Sequence, residues 1–192
     1  MEFLESRPDI DKGWSLFLDR DGVINIESVG SYITTWEDFV FHDGALDALK
    51  VASAIFGRIF VVSNQRGVGR GIMSLEALKQ ININLRNAVA ETGGKIDKIY
   101  NCTAVNDEDR NRKPNTGMAL QAQEDFPETD FRRSVMVGNS LSDMEFGKRL
   151  SMHTVFITTK STVVEDSLHL VDEQYPSLAE WVKAINIAAY AG

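Results

Sequence analysis

The strongest constraint on this chain is an alternation: strand-sized apolar runs take turns with segments of helical period along most of its length. Ser15–Leu18 reads as a buried strand that ends abruptly in charge. Ala45, Leu46, Leu49, Ala52 and Ile55 then repeat at helical spacing behind Asp43, a suitable N-cap. Ile59–Val62 is a second strand. Leu75, Leu78, Ile81, Leu85 and Val89 mark an amphipathic helix capped by Ser74 and stopped at Gly93-Gly94. A third strand, about Lys98–Cys102, enters a polar loop that reaches Asn115, and Thr116 is placed to cap a helix through Phe126. Val135–Val137 is a fourth strand, with a helix after it from about Ser142 to Leu150, and Thr154–Ile157 is a fifth. Ser177-Leu178-Ala179-Glu180 is a capping-box pattern that opens a last helix, about 177–190, with Leu178, Trp181, Val182 and Ile185 on one face.

Strands that alternate with helices imply an α/β fold, a mostly parallel sheet covered on both faces. Ligands of such sheets bind just beyond the carboxyl ends of the strands. The 192 residues suit a single domain, 1–192, with its core over about 14–158 and no repeat or linker.

Composition removes several classes of function. A formal charge of −8 argues against a nucleic-acid partner, which clustered Lys and Arg would have to hold. It leaves room for a small anionic substrate, because local cations outweigh a distant acidic surface at physiological salt. The single cysteine, Cys102, permits no intramolecular disulfide and fits a reducing compartment. Met1–Asp9 has neither the basic nor the apolar region of a signal peptide, and the apolar runs are far shorter than a membrane span. A cytoplasmic monomer without a membrane partner is the expectation.

The polar residues at the strand ends carry the chemistry. Asp19-Arg20-Asp21-Gly22-Val23-Ile24-Asn25 follows the first strand, and Ser63-Asn64-Gln65-Arg66-Gly67-Val68-Gly69-Arg70-Gly71 follows the second. Arg112-Lys113-Pro114 lies in the loop after the third, and Gly138-Asn139-Ser140-Leu141-Ser142-Asp143 follows the fourth. A parallel sheet brings these clusters to one crevice. Phosphate monoesters resist hydrolysis because the dianion repels nucleophiles and the alkoxide leaves poorly. A carboxylate that attacks phosphorus divides the reaction through an aspartyl-phosphate. A second carboxyl two residues on can protonate the leaving oxygen and later activate water, an effect worth typically ~10²–10⁴-fold. Mg²⁺ suits such a site, since it takes few carboxylates together with waters and phosphate oxygens. Lys113 supplies positive charge, Ser63 and the backbone near Asn64 supply donors to phosphoryl oxygens, and Asn139 and Asp143 offer oxygens to the metal or its surroundings.

In this order and at these strand ends, the clusters resemble the motifs of the haloacid dehalogenase-like (HAD) phosphatase superfamily. The wording of Asp19–Asn25, of Ser63-Asn64-Gln65 with Arg70-Gly71, and of Arg112-Lys113-Pro114 is similar to its histidinol-phosphate and D-glycero-D-manno-heptose-1,7-bisphosphate phosphatase subgroup. The likeness runs from about Ser15 to Thr158. It implies a Rossmann-like three-layer sandwich of strand order 5-4-1-2-3, with Asp19 as nucleophile and Asp21 as acid/base. Ser63, Asn64, Gln65 and Lys113 are implied in phosphate binding, Arg112 in substrate recognition, and Asp19, Asp21, Asn139 and Asp143 in holding Mg²⁺. The stretch Glu27–Tyr32 falls where the subgroup's loop touches substrate. The implied activity is hydrolysis of a small phosphorylated metabolite, with a heptose bisphosphate favoured over histidinol phosphate. A nucleic-acid end phosphatase and a non-catalytic binding protein are the readings from other classes.

Two departures stand out. The superfamily's fourth motif usually begins Gly-Asp, with that aspartate on the metal and often a lysine after it; here Asn139 and Ser140 stand there. The subgroup's zinc loop is also missing its ligands, since Thr103–Arg112 contains no histidine and Cys102 is alone, so no zinc is expected. The gaps between Asp21 and Ser63 and between Cys102 and Lys113 are too short for a folded cap domain, which takes at least ~40–50 residues. Gly67-x-Gly69-x-Gly71 lacks the spacing of a dinucleotide fingerprint and reads as a flexible loop. Ser142-x-x-Glu145 reads as a capping box, Cys102 as a buried small hydrophobe, and Arg66 and Arg70 as either substrate contacts or solvated cations.

Overall fold

The computed structural model describes residues 7–28, 30–159, 163 and 165–191, with side chains described as far as 186. The first part of the N-terminal segment examined for a leader, residues 1–6, lies outside the described residues, as does Val29 of the Glu27–Tyr32 stretch.

Among the described residues the sheet has six parallel strands: β1 Ser15–Leu18, β2 Arg58–Asn64, β3 Lys98–Cys102, β4 Ser134–Gly138, β5 His153–Ile157 and β6 Glu173–Tyr175. Their order is β3-β2-β1-β4-β5-β6, all in parallel register. The expected order 5-4-1-2-3 is present, and β6 adds an edge strand that the sequence reading missed. Glu-Gln-Tyr carries no apolar run to betray a strand; it pairs with β5 because it is tethered nearby. His153 Nε2 lies 2.8 Å from Glu173 Oε1, and the Arg7 guanidinium bonds Glu173 at 2.8 Å.

The strands are buried on both faces, which is why they read as continuous apolar runs. Side chains alternate across the sheet. Leu16, Leu18, Ile59, Val61, Val135, Val137, Val155 and Ile157 pack on one face with Leu49, Leu85, Val89 and Trp181 from α1 (Ala45–Ile55), α3 (Leu75–Glu91) and α6 (Leu178–Ala191). Phe17, Phe60, Val62 and Met136 pack on the other with Met118, Ala122 and Phe146 from α4 (Gly117–Asp125) and α5 (Leu141–Arg149). No cap domain is evident among the described residues.

Several local expectations change. The stretch after β2 contains a turn of helix, α2 (Arg66–Gly69), where a flexible loop was expected; Gly67 packs against the Tyr32 ring, leaving no room for a side chain. The first position of α1 is capped by Gly44 in the left-handed region, without a side-chain bond, and not by Asp43. Thr116 stands at the cap of α4 without donating or accepting through its side chain. The capping box of α5 is Ser140 with Asp143, not Ser142 with Glu145. Ser74 does cap α3, accepting from Ala77 N at 3.0 Å, and Ser177 accepts from Glu180 N at 3.1 Å.

Trp181 is fully buried, 6.1 Å from the Phe56 ring, and ties α6 to α1. Trp181→Ala is expected to destabilise the protein by about 3–5 kcal/mol, since it opens a cavity the neighbours cannot fill; urea unfolding measures this, and a loss below about 1 kcal/mol would show that α6 does not depend on it.

Candidate active site

Parallel register determines which residues meet. Leu18 pairs with Val61 on one side and Val137 on the other, so Asp19 comes level with Val62 and Gly138, one residue before Ser63 and Asn139 on the adjacent strands. Asp19 N donates to Val137 O at 2.9 Å, which holds the first aspartate against β4. A cavity of about 210 Å³ opens there, with Asp19, Asp21, Asn64, Gln65, Lys113 and Asn139 among the residues around it.

Lys113 enters from the loop after β3. Its Nζ is 2.8 Å from Asp19 Oδ1, 2.7 Å from Asp143 Oδ1 and 2.7 Å from Val62 O. Two of the ammonium's three N–H donors go to Asp19 and to Val62 O as hydrogen bonds, and Asp143 Oδ1 is held as an ion pair. Asn64 clasps the Lys113 backbone, accepting from its N–H at 3.0 Å and donating to its carbonyl at 3.1 Å. Asn64 therefore positions the lysine from the end of β2. Asp143 also accepts from Ser140 N at 3.1 Å and Ser140 Oγ at 2.7 Å. Its carboxylate lies directly over Gly138, where an added Cβ would stand 2.2 Å from Asp143 Cβ; only glycine leaves this space.

Asp21 is held separately. Arg20 Nη2 reaches its Oδ1 and Oδ2 at 3.0 Å each, Asn25 Nδ2 donates to Oδ1 at 3.0 Å, and Gln65 Nε2 donates to Oδ2 at 2.8 Å. Arg20 is fully buried, with its guanidinium carbon 5.8 Å from the centre of the Phe39 ring. The sequence reading gave Arg20 and Asn25 no role. A basic residue between two acidic ones reads as solvated, and nothing local shows that it folds back onto its neighbour. Gln65 Nε2 also donates to Ser63 Oγ at 2.7 Å, and Ser63 is buried behind it.

Not every expected residue faces the cavity. Ser63 and Arg112 lie outside its lining, whereas Glu27, Ser28, Ser31 and Tyr32 border it. Arg112 instead bonds Asp107 at 2.8 Å, and Arg70 donates to the Tyr32 hydroxyl at 3.0 Å. Asn139 packs on Gly22, whose missing side chain is required: a Cβ there would lie 1.8 Å from Asn139 Nδ2, and the residue has a φ of 85°.

The electrostatics follow from this geometry. Burial is the main reason that the Asp19 carboxyl is raised to about 7; Lys113 pulls it down, and Asp143 and Asp21 push it up again. Burial also acts to raise Asp21, but the Arg20 charge and the bonds from Asn25, Arg20 and Gln65 outweigh it and hold this carboxyl below its usual range. Burial would lower Lys113, and Asp143 and Asp19 overcome it, so the ammonium is more basic than usual.

Asp19, Asp21 and Asp143 thus pair with Lys113 and Arg20, and Asp19 stays raised chiefly because it is buried, with Asp143 and Asp21 adding to the effect. No group of three His, Cys, Asp or Glu side chains is arranged as a metal cluster among the described residues. Asp21 and Asp143 have turned to Arg20 and Lys113. Asp19 and the side-chain amide of Asn139 stand together on the cavity lining, with Glu27 also on it, and such a hard-oxygen set fits a single ion such as Mg²⁺, completed by water and substrate oxygens.

A family model described as HAD-hydrolase-like matches residues 110–181. The D-glycero-alpha-D-manno-heptose-1,7-bisphosphate 7-phosphatase of Mycobacterium bovis is 35% identical over 176 residues, covering 91% of this chain and 93% of that protein. The corresponding D-glycero-D-manno-heptose-1,7-bisphosphate 7-phosphatase of Chlorobaculum tepidum is 31% identical over 188 residues, covering 87% and 93%. The D,D-heptose 1,7-bisphosphate phosphatase of B. bronchiseptica, crystallised with magnesium and phosphate, shares the fold with a TM-score of 0.79 at 22% identity, covering 92% of this chain and 99% of that one. With the sheet order and the aspartate-bearing end of β1, these likenesses make the chain a member of the HAD-like hydrolases, and a phosphatase among them. No described helix is long and apolar enough to cross a membrane.

Asp19 carries a consequence for stability. Its folded pKa of about 7 lies above the ~3.9 of an unfolded aspartate. Between those values the folded protein keeps a proton that the unfolded chain has released, so stability falls as pH rises through about 7. In metal-free protein, Asp19→Asn should therefore raise Tm more at pH 8 than at pH 5; equal shifts in calorimetry with a chelator present would contradict the raised Asp19 carboxyl.

Proposed function

We propose that this phosphatase hydrolyses a sugar phosphate through a phosphorylated Asp19, with D-glycero-D-manno-heptose 1,7-bisphosphate as the substrate and the 7-phosphate as the group removed. The observation that carries the reading is the Lys113 ammonium, 2.8 Å from Asp19 Oδ1 at the floor of a cavity formed by the ends of β1, β2 and β4 and the loop after β3. A phosphoryl group seated there meets a nucleophile and a buried cation together.

In the first half-reaction an Asp19 oxygen forms a bond to phosphorus while the bond from phosphorus to the sugar oxygen breaks. The leaving oxygen takes a proton from Asp21. In the second, Asp21 removes a proton from water, the water oxygen attacks phosphorus, and Asp19 departs as carboxylate with inorganic phosphate. The ionised Asp21, held by Arg20, Asn25 and Gln65, matches the base of the second step. For its role as acid in the first step, Asp21 leaves Arg20 and takes up a proton from solvent, and that proton passes to the sugar oxygen. Lys113 keeps Asp19 oriented and offsets charge gathering on the phosphoryl oxygens. Asn64 and Gln65 keep Lys113 and Asp21 in place, and Ser63 supports Gln65. Mg²⁺ would be held by Asp19 and Asn139, close to Asp21 and Asp143, and would supply positive charge between the carboxylates and the substrate dianion. Arg112 is assigned to the far end of the substrate. The likeness of the Mycobacterium bovis and Chlorobaculum tepidum proteins, across nearly their whole lengths, supports the choice of sugar. The net charge of −8 supports a small metabolite over a nucleic acid as substrate, and the single cysteine supports a reducing compartment such as the cytoplasm.

Incubation with the heptose bisphosphate and Mg²⁺ should release inorganic phosphate, and Asp19→Asn should lower kcat by roughly 10³-fold or more. Retention of activity by that variant would exclude Asp19 as the nucleophile. Asn139→Asp restores a negative ligand and is expected to tighten Mg²⁺ binding by about tenfold in calorimetric titration. An unchanged affinity would remove Asn139 from the metal.

A further inference from the structure

Asp107, in the loop between β3 and α4, joins two cations that the chemistry at Asp19 does not use, Arg66 at the start of α2 and Arg112 in its own loop. Arg112 Nε donates to Asp107 Oδ1 at 2.8 Å, and Arg66 Nη2 donates to the same oxygen. The side chains of Arg66 and Arg112 are 23% and 13% exposed, whereas that of Asp107 is 81% exposed. One oxygen of a solvated carboxylate therefore serves two largely buried guanidiniums. Each guanidinium is a planar fork suited to two acceptor oxygens. Here Arg66 Nε and Arg112 Nη1 are left without partners. Asn115 anchors the loop by donating to Asp107 O at 3.2 Å and Asp109 O at 2.9 Å, which fixes the Asp107 backbone and leaves its carboxylate free to turn.

Position gives this pair its meaning. Arg66 follows Gln65, which grips Asp21, and Arg112 precedes Lys113, which grips Asp19. Both cations thus stand one residue outward from the groups that hold the two aspartates, on the loops after β2 and β3. Gln65 and Lys113 line the cavity and Arg66 and Arg112 are their chain neighbours just outside that lining, so only a substrate whose far end passes the cavity rim reaches the pair.

We infer that Asp107 is a specificity-determining counter-anion, whose carboxylate occupies the place on Arg66 and Arg112 that the second phosphate of a sugar bisphosphate takes. The inference deepens the proposed function and rests on it. A phosphate brings three acceptor oxygens and a charge of about −1.5 to −2, against the single oxygen that Asp107 commits. The displaced carboxylate returns to water, where most of it already lies, so the exchange favours the phosphate. A neutral or weakly charged end of a substrate gains too little to displace Asp107. The residue thereby separates bisphosphates from monophosphates without touching the reacting phosphorus.

The test is calorimetric binding to Asp19→Asn protein with Mg²⁺ present, using the heptose 1,7-bisphosphate and the heptose 7-phosphate as probes. Asp107→Ala added to that protein should tighten the bisphosphate by about three- to fivefold and leave the 7-phosphate unchanged. Asp107→Asn, which keeps the shape and removes the charge, should move the same ratio in the same direction. Should both probes bind while neither Asp107 variant alters their ratio, or should both shift equally, the inference is overturned. Absence of binding by either probe to any of the proteins would instead overturn the proposed substrate.

Discussion

A fully buried ammonium group, shared by two carboxylates and a main-chain carbonyl, organises this structure. Lys113 would be costly to bury alone, and so would Asp19 or Asp143; together they offset one another only because their geometry is fixed on all sides. The fixing comes from different elements: Asn64 at the end of β2 holds the Lys113 backbone, Gly138 at the end of β4 makes room for Asp143, and Val137 holds Asp19. The sheet therefore acts as a jig for one ion cluster. Removing the lysine would leave two carboxylates without their counter-charge in a site that water barely reaches.

The two aspartates near each other in sequence end in opposite electrostatic states. Asp19 is pushed up by burial and by neighbouring carboxylates, and Asp21 is held down by Arg20 and two amide donors. In the proposed chemistry this separation has a use, because one carboxylate must bond to phosphorus and the other must exchange protons. A bound cation would favour the ionised form of the buried Asp19. In the proposed site Asn139 would give that cation a neutral oxygen. The same economy of charge recurs at Asp107, where one exposed carboxylate balances two arginines at the outer edge of the site.

Absence of a cap among the described residues leaves recognition to loops. Glu27, Ser28, Ser31 and Tyr32 border the cavity on one side. Tyr32 packs on Gly67 of α2 and accepts from Arg70, so the loop after β1 is joined to the turn after β2. Substrate selection in such a site depends on the contacts between loops, and these are formed by side chains distant in sequence.

The linear order of residues determined the layered α/β fold, strands β1 to β5 and the aspartates at the end of β1, because burial on both faces and helical periodicity are local patterns. It also placed Asn64, Gln65 and Asn139 at strand ends, and Lys113 in the loop after β3, where a parallel sheet brings them together. Tertiary structure alone decided the rest. β6 exists through its neighbours, since Glu-Gln-Tyr has no pattern of its own, and Ser140 caps α5 in place of Ser142, with Asp143 bonding it through one oxygen and facing Lys113 with the other. Arg20 folds onto Asp21, and Asp107 spans Arg66 and Arg112, through contacts whose direction depends on rotamers and on which groups are shielded from water. Charge pairing is set by distance and burial, and neither is written in the spacing of residues along a chain.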